Sequence, residues 1–414
     1  MFLDLALDPA APAPAAPRRF EARLHESLGP IAAAWRTLET AGAATAYQRL
    51  DWVRQILAHV ADAERARPLL VEVLDRDTGR PAMIVPLALV RRRAHRVVTW
   101  FDLGLCDYAA PLLAEGQPLS PAEAVAAWAA VLAVLPHADL IHIRQVPARV
   151  GAHPNPIAAL PGRRPMALSA SGVAIDGDAE TLLQRLCRSS TLRDLGKQRR
   201  RLERAGPVRF ARAGTADEVE DIFAALVEQR RARFAALGRF DLLARPEIES
   251  FYRAAALDGL SSGPVKLFGL SVDGAWIAAA YGLVHGATFH GILLTTSMED
   301  AWRNASPGLQ IVADCLRWAR AEGVTYFDFT VGDLPYKKDF GVETRALDEV
   351  VQPLTPVGRS VVAAMRVRAA LETELRRHPA WAENLRRARR AVRKLGAKAG
   401  PDRPGPRSGV TRAG

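Results

Sequence analysis

The stretch Phe327-Asp-Phe-Thr-Val-Gly-Asp-Leu-Pro-Tyr-Lys-Lys-Asp-Phe-Gly341 begins with the period-two alternation of a buried strand. At Gly332-Asp333 it breaks into acidic, aromatic and basic residues. Asp333, Tyr336 and Lys337 can accept a proton, donate one and neutralise an anion, and a strand end is where a fold offers such groups to a ligand. Each also has a structural use. Asp333 suits the N-cap of the turn at Leu334-Pro335, Tyr336 suits packing on Phe340, and Lys337 with Lys338 suits a solvated face. Asp328 alternates onto one face with Tyr326 and Thr330, either lining a cleft or serving as a hydrogen-bonded structural carboxylate. His290 lies mid-strand in ATFHGILL, where a core role competes with a catalytic one.

A second group is Arg303-Asn-Ala-Ser-Pro-Gly308. Ser306 and Pro307 read as the N-cap and first residue of a helix, and Gly308 permits close approach of a ligand to the backbone. Free N–H groups and the dipole make such a helix start an anion site, unless it is simply a well-capped helix.

The elements that must position these groups follow in a readable order. PVRFARA is a short strand, and Thr215-Ala-Asp-Glu218 is a capping box ahead of a long helix. Pro246 opens a second helix. Three strands follow, with turns at Asp273-Gly274 and His285-Gly286, then a helix from Ser306-Pro307 to Gly323, then VTYFDFTV. The first half repeats the plan more faintly. A helix over AYQRLDWVRQILAHVADA precedes a hairpin turning at Asp77-Thr78-Gly79, then VVTWFDLG, a helix capped by Ser120-Pro-Ala-Glu123, and DLIHIRQV. A basic segment, Ala179 to Gly206, bridges the two copies. The expected class is α/β, a mixed sheet with helices on its faces.

The 414 residues carry a net charge of +11, all of it contributed from Val357 onward, where 15 Lys and Arg face four Asp and Glu. A neutral body argues against a folded surface that tracks nucleic acid. Three scattered cysteines suggest neither a disulfide framework nor a zinc site, and no metal is expected. The Ala/Pro-rich start lacks a secretory pattern and reads as a disordered lead-in. Ala124 to Leu135 is too short for a membrane span, so cytoplasmic residence is expected. No HExxH, Walker loop or GxGxxG is present.

Strand order and these residues resemble the GNAT superfamily of acyl-coenzyme A transferases. Its pyrophosphate loop, Arg/Gln-x-x-Gly-x-Gly/Ala, falls here on Arg303, Ser306 and Gly308, with Leu309 following, and Ser306 replaces the first glycine. Gly332-Asp333, Tyr336-Lys337 and Phe340-Gly341 resemble the branch of CelD-like cellulose-biosynthesis proteins. So do the Leu192 to Leu202 pattern and, in the first half, Asp107-Tyr108 with Pro111-Leu112. The resemblance implies two tandem GNAT-like domains, as in Fem-type aminoacyltransferases: a lead-in over 1–19, domains over 20–168 and 169–356, and a basic helical tail over 357–414. It implies acyl-coenzyme A as co-substrate, held at Arg303, Ser306, Gly308 and Leu309.

In that fold the residues past the fifth strand face the acyl carbon. Asp333 then takes the proton of the nucleophile or holds an ammonium, Tyr336 protonates the departing thiolate, and Lys337 neutralises a substrate anion. His290 is a further catalytic candidate, and Asp107, Tyr108 and Asp328 line the substrate cleft. The expected reaction is acyl transfer to an amine or hydroxyl of a polar, sugar- or envelope-related acceptor. Two alternatives are a Fem-type enzyme using charged tRNA and a non-catalytic accessory protein of polysaccharide assembly. The arginine-rich tail, 357–395, is a candidate either for peripheral contact with anionic membrane or for docking on the protein with its charge outward.

Overall fold

The computed structural model describes residues 19–92, 94–116 and 118–377. The lead-in over 1–18 and the tail beyond Arg377 lie outside the described residues. The chain divides into a body, up to Thr355, and a unit from Pro356 onward.

The body opens with strand β1 (Phe20–His25), helices α1 (Ala32–Ala41) and α2 (Leu50–His59), and the hairpin β2 (Ala66–Asp75) and β3 (Pro81–Arg91). Next come β4 (Arg96–Trp100), the short β5 (Leu112–Leu113), α3 (Pro121–Val134) and β6 (Leu140–Pro147). A small hairpin, β7 (Arg149–Val150) and β8 (His153–Pro154), precedes β9 (Arg163–Ala174), α4 (Leu182–Leu186) and α5 (Ser189–Ala205). The second half then runs β10 (Val208–Arg212), α6 (Ala216–Ala236), α7 (Pro246–Asp258), β11 (Val265–Val272), β12 (Ala275–His285), β13 (Thr288–Thr296), α8 (Pro307–Ala321), β14 (Tyr326–Val331) and β15 (Glu343–Pro353).

One mixed sheet spans the body in the order β1-β2-β3-β4-β6-β15-β9-β14-β13-β12-β11-β10. Each half supplies antiparallel strands that end in a parallel pair, β4 with β6 and β13 with β14. The two central strands are exchanged. β15, the last strand among the described residues, pairs with β6 of the first half, whereas β9, ahead of the second half, pairs with β14. β9 and β15 also pair with each other, so the expected boundary between Leu168 and Ser169 falls inside a strand common to both halves. Neither strand was anticipated from the sequence.

Helices join the halves on one face. Trp52 of α2 meets Phe251 of α7 edge-on, with centroids 4.7 Å apart, and one buried apolar cluster runs from Trp35 through Phe223 to Tyr281. Burying such aromatics contributes roughly 2–3 kcal/mol each, so the halves stabilise one another. The unit from Pro356 begins with helix α9 (Pro356–Arg377), which exposes Val357, Val367 and Leu371. Among the described residues, no helix is long and apolar enough to cross a membrane.

Candidate active site

β13 and β14 pair over only three rungs, Thr288↔Tyr326 to His290↔Asp328. Beyond them β13 continues against β12, while β14 turns away at Thr330, whose φ of +58° is unusual for a β-branched residue. Thr330 Oγ1 donates to the Gly291 carbonyl at 3.2 Å, at the root of the split. The gap opens into a cavity of about 730 Å³, bounded by Leu293, Thr295, Phe329 and Tyr336 and by the start of α8.

The alternation of β14 sends Phe327 and Phe329 into this first cavity and Tyr326 and Asp328 to the opposite side. There a second cavity, about 700 Å³, is lined by Tyr108, His285, His290, Tyr326 and Asp328. Two consecutive residues of β13, His290 and Gly291, likewise face opposite cavities. Thr330 was expected beside Asp328; its positive φ breaks the alternation and turns it to the first cavity.

The wall between the cavities is a polar cluster drawn from both halves. Tyr108 Oη donates to both oxygens of Asp328 at 2.9 Å, the Thr330 amide donates to Oδ1 at 2.7 Å, and His290 Nδ1 lies 3.4 Å from Oδ2. Tyr47 Oη donates to Asp107 Oδ2 at 2.9 Å. The rings of Tyr47, Tyr108 and His290 stand within about 6 Å of one another.

The first-half loop that carries Asp107 and Tyr108 is pinned by the Ala109 amide on the Gln145 carbonyl at 2.9 Å. Asn155 Nδ2 also donates to the Ala109 carbonyl, at 3.1 Å. Burial raises Asp107 above the usual carboxylate range; Tyr47 and Thr330 pull it down, and the Asp328 charge pushes it up. Burial and the nearby carboxylates hold Tyr47 and Tyr108 far above the ordinary phenol value, so both remain donors.

Lys337 is 3 % exposed and donates to the carbonyls of Thr330 at 3.0 Å and Gly332 at 2.7 Å. Burial lowers its pKa, against the pull of Asp107, Asp328 and Asp333. Its ammonium clamps the strained end of β14 within the lining of the first cavity, so it is not the solvated face that its place beside Lys338 also suggested. Asp333 is exposed, lies 3.9 Å from Lys338, and lines neither cavity. It does not cap the following turn either, where Leu334 occupies the N-cap position. Tyr336 lines the first cavity edge-on to Phe329 and packs on the cluster that includes Phe340, and burial pushes its phenol up to about 12.

Ser306 occupies the N-cap of α8, but in the left-handed conformation (φ +46°, ψ +55°), and its hydroxyl caps nothing. That backbone suits the glycine it replaces. A Cβ on Gly308 would stand 3.1 Å from Thr296 Cγ2, so the missing side chain leaves room beside β13. Leu309 lines the same cavity, as does the exposed Arg303, which pairs with Asp300 at 2.5 Å. The corresponding first-half helix, α3, is closed by the reciprocal Ser120–Glu123 capping box.

Sequence reasoning missed Tyr47, His285 and the arginines that line the cavities, Arg233 and Arg239 at the first and Arg149 and Arg345 at the second, and named Tyr326 only as a neighbour of Asp328 on its face. The one usable signal was the EQRRARFAALGRF run at the end of α6, which was read only as part of a long helix.

The described residues hold no metal-binding cluster. All three cysteines are buried, and burial raises each thiol; Cys315, which lines the first cavity, is pushed far up, and such a thiol is a poor nucleophile. An acyl-coenzyme A fits the first cavity: arginines at its mouth, a helix start beside a vacant Cβ position, an unpaired β13 edge for amide hydrogen bonds, and an apolar interior.

Residues 189–338 match the family described as acetyltransferase (GNAT) domain. No curated protein matches the chain. Among solved structures, FemX aligns at 13% identity over 80% of this chain and 96% of its own, with a TM-score of 0.54. A tandem GNAT protein from the clavulanic acid biosynthesis pathway aligns at 14% identity over 81% and 99%, with a TM-score of 0.46. L-PGS from Bacillus licheniformis aligns at 12% over 81% and 95%, also at 0.46. The FemX likeness is one of fold, and the two lower scores add no argument.

Proposed function

We propose that the protein is an acyltransferase that moves an acyl group from acyl-coenzyme A, in the first cavity, to an amine or hydroxyl of a polar acceptor in the second. One observation carries this reading: two cavities lie back to back across the β13–β14 split, with Asp328, His290 and Tyr108 in the wall between them. The match of residues 189–338 to GNAT domains supports the reaction class.

The acceptor enters beside His290 and Asp328. His290 takes the proton of the attacking nucleophile, and Asp328, held by Tyr108 and the Thr330 amide, stabilises the imidazolium that forms. The thioester carbonyl lies in the split, where the unpaired edge of β13 supplies N–H donors for the tetrahedral oxyanion. Tyr336, protonated at neutral pH, gives its proton to the leaving thiolate. Attack is direct, because the one cysteine in the cavity is a buried, unreactive thiol. The polar groups in the lining of the second cavity, among them Thr45, His285 and Thr288, suit a sugar- or envelope-precursor acceptor, the class implied by the CelD-like motif.

The Fem-type reading gains no observation of its own. In α5, the basic helix between the two halves, Arg199 is engaged by Asp314 and Glu203.

Calorimetric titration of acetyl-coenzyme A, and of longer acyl species, into the wild type and Gly308→Trp tests the donor. Micromolar binding lost in the variant is expected; absence of binding by every species would overturn the reading.

A further inference from the structure

The second cavity carries charge that its own walls do not balance. Arg345 of β15 and Arg149 of the first-half loop both line it. Pairing of β15 with β6 ends at Leu347↔Pro147, next to the cavity, and past that rung the two segments bring Arg345 and Arg149 into one lining from opposite halves of the body.

Neither guanidinium has a carboxylate partner among the described residues. Arg149 donates to the Ala152 carbonyl, and Arg345 lies over the Tyr326 ring, 4.3 Å from its centroid. Asp328 is the one carboxylate that lines the cavity, and it is taken by Tyr108 and the Thr330 amide. Glu343, two residues before Arg345, is not part of the lining.

Further polar atoms wait on the same walls. Tyr326 Oη and His285 Nδ1 are buried without a hydrogen-bond partner. The Tyr326 phenol is seated over Gly172 of β9, where a Cβ would come within 2.1 Å of the hydroxyl, so its placement is built into the sheet. Buried donors and acceptors are normally satisfied, and those left open in a cavity mark a polar ligand.

We infer that the acceptor carries a carboxylate or phosphate group, held between Arg149 and Arg345 beside Tyr326, while its nucleophile points at His290 and Asp328. A planar guanidinium takes either anion through two parallel hydrogen bonds, and the stacking of Arg345 on Tyr326 fixes its orientation. This rests on the assignment of the second cavity to the acceptor.

The test needs no turnover. Thermal melts of the full chain are recorded with increasing inorganic phosphate or acetate against chloride of equal ionic strength, with and without saturating acetyl-coenzyme A. Wild type, Arg149→Gln, Arg345→Lys and the Arg149→Gln/Arg345→Gln double variant are compared. The wild type is expected to be stabilised by phosphate and acetate beyond chloride, with or without the coenzyme. The double variant should require at least tenfold more anion for the same shift, with Arg345→Lys in between, while all keep their acetyl-coenzyme A response.

Equal anion responses in wild type and the double variant, or none in wild type, would overturn the inference. If the double variant fails to fold, Arg149→Gln and Arg345→Lys decide in the same way. Loss of the acetyl-coenzyme A response in every protein, with the arginine-dependent anion response intact, would instead count against the donor assignment alone.

Discussion

Tyr108, from a loop of the first half, donates its hydroxyl to both carboxylate oxygens of Asp328, on the last parallel strand of the second, at 2.9 Å each. The first half thus completes the site of the second. Tyr108→Phe leaves a buried carboxylate short of a donor and should cost about 1–3 kcal/mol of stability. Asp328→Asn should lower kcat about 100-fold or more, the range of a general-base apparatus, with a smaller change in KM. Steady-state kinetics and chemical denaturation check both, and a kcat within threefold of wild type in Asp328→Asn would remove the carboxylate from the mechanism.

Lys337 holds the strained Thr330 in place through two backbone carbonyls, so its substitution should act on shape before chemistry. Lys337→Met is expected to weaken acetyl-coenzyme A binding about tenfold and to lower stability by about 2 kcal/mol. Calorimetry and thermal melts measure the two effects. Unchanged affinity would mean that the β13–β14 split does not depend on this clamp.

Ser306 stands in a left-handed conformation that glycine adopts freely. Ser306→Gly should be neutral or stabilising by up to about 1 kcal/mol and should leave donor affinity intact. Ser306→Val should destabilise by about 1–2 kcal/mol. Equilibrium unfolding of the pair reads the difference, and equal stabilities would contradict the strained backbone.

His285 has its pKa lowered to about 4 by burial, with Arg49 and His290 adding repulsion. The unfolded chain protonates near 6.5 and the folded one only near 4, so stability should fall as pH drops through that window, by at most about 3 kcal/mol. His285→Gln should flatten the fall. Urea midpoints at pH 7, 6 and 5 make the comparison, and parallel curves would rule out His285 as the group responsible.

We propose that the tail from Pro356 rests on anionic membrane, as its arginine content suggested. In α9, Arg359 and Arg366 lie among the exposed Val357, Val367 and Leu371. A chain ended at Thr355 should lose sedimentation with phosphatidylglycerol vesicles while keeping acetyl-coenzyme A binding. Equal sedimentation of the two chains would refute it.

The elements that position the donor cavity were legible because strong local signals coincide there: Asp273-Gly274 between alternating strands, Pro246 and Pro307 at helix starts, and Thr215 capping the Glu218 amide. β9 and β15 were not. RRPMALSASGVA and ETRALDEVVQP hold no uninterrupted apolar run and no clean alternation, because each is exposed along one stretch of its length and buried along another. Within the site, Asp328, His290 and Tyr108 could be singled out by residue type, but their convergence depends on that unseen strand exchange. The burial of Lys337 against the carbonyls of Thr330 and Gly332 was not legible, because it accompanies a positive φ at Thr330 that no local pattern announces.

The exchange of β9 and β15 also bears on how the chain acquires its structure during synthesis. Glu343–Pro353, nearly the last part of the body to emerge from the ribosome, is the strand that covers β6, a neighbour made some 200 residues earlier. The first half therefore waits with an open sheet edge while the second is translated, and the two close together, through contacts of long sequence separation that fold slowly. A nascent chain halted before Glu343 would present that edge to any strand nearby.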